Sequence, residues 1–281
     1  MTGEGSCRVD DKRCQLIAVD LDGTLLRSDS TLAPEGAWAL AEAAQIGVRV
    51  ILASARNPYS AGRFARAMGL RDPLICSNGA QVWASPDGPV WAYRGLPASI
   101  AEAVAALADA RGWSLVTTVG DVTYFRQRPE QALGPQDAHH TVVATNGDAL
   151  QAGVPARVLS YEAEAISAIR ALLEADFAGH YYLETYYYPD GAVKSIGVYA
   201  PGSDKGTALA MVMERLGIER DAVIAIGDNP NDLPMFAQAH IRVAMGNATA
   251  DVKTQATAVA PTNDEEGVAW AVQRFVSGKN V

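Results

Sequence analysis

Short apolar runs that end in carboxylates constrain this chain more than any other feature. Leu16–Val19 is partly β-branched, bounded by charge and too short for a helix, so it reads as a strand buried in a parallel sheet. It delivers Asp20 and Asp22 to its carboxyl end, the side on which open α/β sheets bind ligands. Two residues apart on extended backbone, these side chains point the same way. Gly23 then permits a turn whose backbone Thr24 can hydrogen-bond. Taken alone, Asp-x-Asp-Gly is also an ordinary turn after a strand. Here a second run, Ala222–Ile226, likewise leads into acids, Asp228 and Asp232, set among Gly and Asn. Acids clustered at a strand end are costly unless a cation neutralises them.

Between these runs the pattern alternates. Pro34 opens a helix that Ser30 or Thr31 can cap, with Trp38, Leu40, Ala41 and Ala44 as apolar positions before Gly47. A strand over 48–53, a helix over 58–68 and a strand over 74–76 complete a βαβαβ unit. Helix 205–216, strand 222–226, helix 233–239 and strand 241–244 resume the pattern near the C-terminus. The intervening segment, 82–190, instead has turn signals at Pro86-Asp-Gly88, Val119-Gly-Asp121 and Pro189-Asp-Gly191, which separate alternating runs that read as antiparallel hairpins. Helical stretches over 98–110 and 163–175 lie among them. The expected fold is therefore α/β, a Rossmann-like doubly wound core of residues 1–81 and 191–281 with an inserted α+β domain over 82–190.

A net charge of −9 over 281 residues argues against nucleic acid or an anionic membrane surface as partner and favours a small molecule. No run is long and apolar enough to span a bilayer and no export signal is visible. Three cysteines, Cys7, Cys14 and Cys76, suit reduced thiols, so a cytoplasmic setting is expected. Nothing in the sequence selects an oligomeric state.

Four further residues supply what paired aspartates need. Ser54 follows a strand, where its hydroxyl and nearby N–H groups can hold a phosphoryl oxygen or simply cap a turn. Lys205 stands at a helix start, where the macrodipole disfavours a cation; an anion beside it would explain the placement, as would a solvated surface lysine. Asp228 and Asp232 complete the set. His139-His140 face opposite ways on extended chain and read as structural. Tyr182, Glu184, Tyr186 and Tyr188 share one strand face, which can meet a sugar or merely form an amphipathic sheet surface.

With these residues in order, the chain resembles the haloacid dehalogenase superfamily of phosphohydrolases, in its Cof-like type IIB branch with a C2 (C2B-type) cap. The four motifs are similar to Asp20-Leu-Asp22-Gly-Thr, Ser54, Lys205 and Gly227-Asp228-Asn-Pro-Asn231-Asp232. Ser77-Asn78-Gly79-Ala80, Ala244-Met-Gly-Asn-Ala248 and Asn263-Asp-Glu-Glu-Gly-Val-Ala269 match secondary signatures. Ser54-Ala55-Arg56 departs from the more usual Thr-Gly-Arg but keeps the hydroxyl. From Asp22 to Ser54 there is room for one helix and one strand, whereas Asn78 to Lys205 far exceeds a single crossover, so the cap falls between the second and third motifs.

The resemblance implies a Mg²⁺-dependent phosphatase of small phosphorylated metabolites, with sugar phosphates the expected class. Asp20 is then the nucleophile that forms an aspartyl-phosphate, and Asp22 the general acid and base. Mg²⁺ is held by Asp20, the Asp22 carbonyl and Asp228, with Asp232 in support. Ser54, Lys205 and Asn231 cradle the transferring oxygens, and Arg56, Asn78, Glu184 and Tyr186 are candidates for substrate contact. Two other functions fit the same motifs: a phosphotransferase of phosphomannomutase type, and a non-catalytic phosphometabolite sensor. Fold alone does not choose the substrate.

Overall fold

The computed structural model describes residues 14–126, 139–187 and 191–277. In chain order, β1 (Leu16–Val19), α1 (Pro34–Gln45), β2 (Arg49–Ala53), α2 (Pro58–Ala67) and β3 (Leu74–Cys76) form the expected βαβαβ run. There follow β4 (Gln81–Trp83), β5 (Val90–Tyr93), α3 (Ala98–Arg111), β6 (Val116–Val119), β7 (Val122–Phe125), β8 (His140–Val142), β9 (Arg157–Ser160), α4 (Ala163–Asp176), β10 (Tyr182–Tyr187) and β11 (Val193–Tyr199). The chain closes with α5 (Lys205–Leu216), β12 (Val223–Gly227), α6 (Leu233–Ala237), β13 (Ile241–Ala244), α7 (Ala250–Gln255), β14 (Ala258–Val259) and α8 (Gly267–Phe275). Tyr188, one of the four residues expected on a single strand face, and Cys7 lie outside the described residues.

Two compact units are present. One takes the described residues up to Ile51 and those from Leu209 onward, the other Leu52–Ala208. In the first, the strand order is β14-β13-β12-β1-β2, and the pairs β1/β12, β12/β13 and β13/β14 are parallel. All four residues of β1 are fully buried, as a strand covered on both faces requires. Helix α1 differs from its expected capping: Ala33 is the N-cap and makes no side-chain bond. The Glu266 carboxylate instead accepts from the Gly36 N–H at 3.0 Å, placing an anion at the positive end of the helix. Its buried stripe is Gly36, Ala39, Leu40 and Ala43, so Trp38 points outward, 59% exposed.

In the second unit β2 pairs parallel with β3, which continues antiparallel into β4 and β5. A separate six-stranded sheet has the order β10-β11-β9-β6-β7-β8. The hairpin β6/β7 is antiparallel as expected, but β7/β8 is parallel. Helices α3 and α4 bury Ile100, Val104 and Ala108, and Ile166, Ile169 and Leu173, against Val158, Ile196 and Val198 of the strands. The i, i+4, i+8 spacing on α3 is the helical stripe that covers a sheet, and Gly112 at φ 75° ends the helix in the left-handed region. Truncating one of these large aliphatics, such as Ile169→Ala, costs about 2–5 kcal/mol.

Candidate active site

In the first unit the parallel register sets the site. Leu16 lies opposite Val223 and Val19 opposite Ile226, and the Asp20 N–H donates to the Ile226 carbonyl at 3.0 Å. Asp20 and Asp228 thus emerge from the same ends of neighbouring strands. Ligand atoms of Asp20, Asp228 and Asp232 lie within 4.8 Å of one another, and all three residues are buried. Asp228 Oδ1 accepts from Thr24 Oγ1 at 3.0 Å and Oδ2 from Asn229 Nδ2 at 2.7 Å. Asp232, fully buried, uses Oδ2 to accept the N–H groups of Asp228 and Asn229 at 2.9 and 3.0 Å. It therefore holds the loop that carries Asp228. Asp22 is exposed and Asn231 half-buried.

Two glycines are demanded by this packing. At Gly23, with φ 83°, a Cβ would sit 2.4 Å from Asp228 Oδ2, and at Gly227 one would sit 2.5 Å from the Asp232 carboxyl. Neither position has room for any other residue. The Gly23 carbonyl accepts from Asn247 Nδ2 at 2.8 Å, and Asn247 Oδ1 accepts from the Asn263 N–H at 3.0 Å. Both secondary-signature asparagines thus brace the turn after Asp22.

In the second unit Ser54 is fully buried at the end of β2, and its Oγ accepts the Arg56 N–H at 3.1 Å. Among the described residues nothing accepts from the Ala55 N–H. The turn at Ser77–Gly79 has two non-glycine residues at positive φ, Ser77 (48°) and Asn78 (55°). This strained conformation donates the Ser77 N–H to the Arg56 carbonyl (2.7 Å) and the Asn78 N–H to the Ser54 carbonyl (3.0 Å). Gly79 lies against the main chain of Asp204, where a Cβ would sit 2.1 Å from its carbonyl oxygen. Asp204 caps α5 through Thr207, and Lys205, the first residue of that helix, is fully buried. Burial removes the solvated surface lysine as a reading.

Glu184, 9% exposed on β10, accepts from the Tyr182 hydroxyl, hydrogen-bonds Asn78 and lies within electrostatic reach of Lys205. Burial raises its carboxyl pKa above the ordinary value, and these hydrogen bonds and Lys205 offset part of the effect. The Tyr186 hydroxyl pairs with that of Tyr199 at 2.8 Å; burial raises both phenols. Tyr186 is thus tied to its neighbour strand, whereas Glu184 and Asn78 form one cluster with Lys205. His139 stacks on Tyr59 with ring centroids 3.8 Å apart and lies 3.1 Å from Asp121, a structural setting.

A sequence profile of the haloacid dehalogenase-like hydrolases matches residues 17–272. The chain belongs to this family. It is 28% identical over 271 residues, 96% of this chain and 99% of the relative, to the Bacillus subtilis 5-amino-6-(5-phospho-D-ribitylamino)uracil phosphatase YcsE. It is 25% identical, over 91% of this chain and 96% of the relative, to the Escherichia coli pyridoxal phosphate phosphatase YbhA. Among solved structures, a haloacid dehalogenase-like hydrolase from Bacteroides thetaiotaomicron superposes with TM-score 0.80 at 25% identity, covering 93% of this chain and 99% of that one. The protein is a type IIB haloacid dehalogenase-like hydrolase, an enzyme acting on phosphoric monoesters.

For this hydrolase, the contacts of Thr24, Asn229, Asn247 and Arg157 were not apparent in the sequence. Thr24 donates to the Asp228 carboxylate instead of its own turn. Asn229 and Asn247 hold Asp228 and the Gly23 carbonyl. Arg157, an unremarkable strand residue by pattern, is buried with its Nη1 on the Ala55 carbonyl. Asp20, Asp228 and Asp232 fit a hard divalent cation: the donors are all oxygen, they are buried, and among the described residues no His or Cys joins them.

Proposed function

We propose that this enzyme is a cytoplasmic, Mg²⁺-dependent phosphatase of small phosphorylated metabolites, sugar or sugar-alcohol phosphates above all. The observation that carries this reading is the buried Asp20–Asp228–Asp232 cluster at the ends of two parallel strands. Asp20, Asp228 and the Asp22 carbonyl would hold Mg²⁺, which when bound offsets the repulsion between carboxylate and phosphate. An Asp20 oxygen attacks phosphorus; the phosphorus–oxygen ester bond breaks, and Asp22 protonates the departing alkoxide. Asp22, now a carboxylate, takes a proton from water as that water attacks the aspartyl-phosphate, releasing phosphate and restoring Asp20. Ser54 and Lys205, with Asn231, are assigned to the transferring oxygens.

Substrate choice is assigned to the inserted segment, 82–190 by sequence, with Arg56, Asn78, Glu184 and Tyr186 as candidate contacts. The polyol phosphate in the name of the B. subtilis relative supports a hydroxyl-rich leaving group. Unpaired Cys14 and Cys76 suit a reducing compartment, and no helix among the described residues is long and apolar enough to cross a membrane. The test is phosphate release across a panel of phosphorylated metabolites by wild type and Asp20→Asn. Turnover should fall by roughly a thousandfold or more in the variant, with circular dichroism unchanged. Retention of wild-type kcat would remove Asp20 as nucleophile. Transfer to an added sugar exceeding phosphate release would replace hydrolysis by phosphotransfer.

A further inference from the structure

We propose that Arg157 is a positioning residue that aims the Ser54 hydroxyl through a single peptide group; this rests on the reading of Ser54 as a phosphoryl-oxygen ligand. Arg157 opens β9 and is 8% exposed. Its Nη1 donates to the Ala55 carbonyl, its Nε donates to Thr118 Oγ1 at 3.1 Å, and the Tyr199 hydroxyl hydrogen-bonds it. All three partners are neutral, and among the described residues no carboxylate pairs with it. A buried guanidinium with only neutral partners is a poor way to stabilise a fold, since similar volume filled by apolar atoms is commonly as good or better.

What the cation does is set by the planarity of the peptide it touches. The Ala55 carbonyl and the Arg56 N–H are opposite ends of one rigid group. Arg157 holds the carbonyl end, and the N–H end donates to Ser54 Oγ at 3.1 Å. A positive charge on the oxygen polarises the group and strengthens the N–H as a donor. A hydroxyl has one proton and two lone pairs. With a lone pair fixed by Arg56, the Ser54 proton is turned away from the loop as a donor, the form that a phosphoryl oxygen accepts. The flanking carbonyls of Ser54 and Arg56 are pinned by main-chain donors, Asn78 and Ser77. The peptide after Ala55 is held instead by side chains, Arg157 at its carbonyl and Ser54 at its N–H.

The experiment measures kcat, KM and inhibition by inorganic phosphate, with p-nitrophenyl phosphate and Mg²⁺, for Ser54→Ala, Arg157→Met, Arg157→Lys and the double variant Ser54→Ala/Arg157→Met. Arg157→Met should lower kcat/KM roughly 10- to 100-fold and weaken phosphate inhibition. Arg157→Lys should recover part of the loss, because it restores a cationic donor. In the Ser54→Ala background, Arg157→Met should cost less than roughly threefold, since the group it acts through is gone. Equal losses in both backgrounds, or no loss from Arg157→Met alone, would overturn the proposal while leaving Ser54 as a ligand. Wild-type kcat/KM in Ser54→Ala would overturn the reading of Ser54 and the relay with it. If Arg157→Met does not fold, Thr118→Val, which frees Nε and leaves the charge in place, should give a smaller loss that again disappears in the Ser54→Ala background; its persistence there would refute the relay.

Discussion

Thr24→Val is the substitution whose effect the structure specifies most fully. Thr24 is completely buried, and its Oγ1 donates at 3.0 Å to Asp228, itself only 6% exposed. Valine keeps the shape and removes the donor, so a carboxylate already out of water loses the Thr24 hydrogen bond while that from Asn229 remains. A hydrogen bond to a charged group contributes about 1.5–3 kcal/mol. At about 2–4 °C per kcal/mol for a chain approaching this size, Tm should fall by roughly 3–12 °C. Urea melts without divalent ions should show a lower midpoint at unchanged slope. Thr24→Ser, which keeps the hydroxyl, should lose about 1 kcal/mol for one buried methyl group. In the Asp228→Asn background the bond is neutral, and Thr24→Val should cost only about 0.5–1.5 kcal/mol. A loss below about 0.5 kcal/mol in the wild-type background, or equal losses in both, would refute the view that this hydroxyl supports a buried charge.

Chelation with EDTA should stop phosphate release, Mg²⁺ should restore it and raise Tm, and Ca²⁺ should substitute poorly because its looser coordination misplaces the reacting groups; full activity in metal-stripped protein would defeat this. Glu184 gives a pH prediction. Its folded pKa is raised mainly by burial, so the native state keeps this proton to higher pH than the unfolded chain, whose glutamates titrate near about 4.3. Its contribution to stability is therefore greatest below that value and is lost as pH rises through the elevated folded pKa. Glu184→Gln should flatten that decline in Tm and be relatively more stable at neutral pH; an unchanged or steeper slope would show that Glu184 is not the titrating group.

Sequence reasoning succeeded where the signal is local. The strand ends bearing Asp20 and Asp228, and helices α3 and α4 with their stripes of Ile and Ala, follow from period and punctuation within a dozen residues. It failed where a distant segment supplies the partner. Ser30 and Thr31 are sound caps by type, yet Glu266 takes that role for α1 from the far end of the chain. Trp38 fits a helical stripe by composition, but the close packing of α1 against α8 is carried by small residues such as Gly36, and the tryptophan is left outside. Arg157 carries no local mark, because its burial depends on a carbonyl at Ala55 that only folding brings near.

The contact between Gly79 and Asp204 has a consequence for how such an enzyme diversifies. Where the chain leaves the turn that holds Asn78 and where it returns to Lys205, the two backbones touch so closely that only glycine fits. The exit and entry points of the long excursion between them are thus fixed by their own packing, independently of what the excursion contains. A stretch of chain tethered at one such spot can lengthen, shorten or be exchanged for another without altering the spacing between Asn78 and Lys205. If substrate choice resides in the excursion, as proposed, it can vary there while Gly79 and Asp204 stay in contact, provided that β4 and β5 remain paired to β3 and Arg157 keeps its hold on the Ala55 carbonyl.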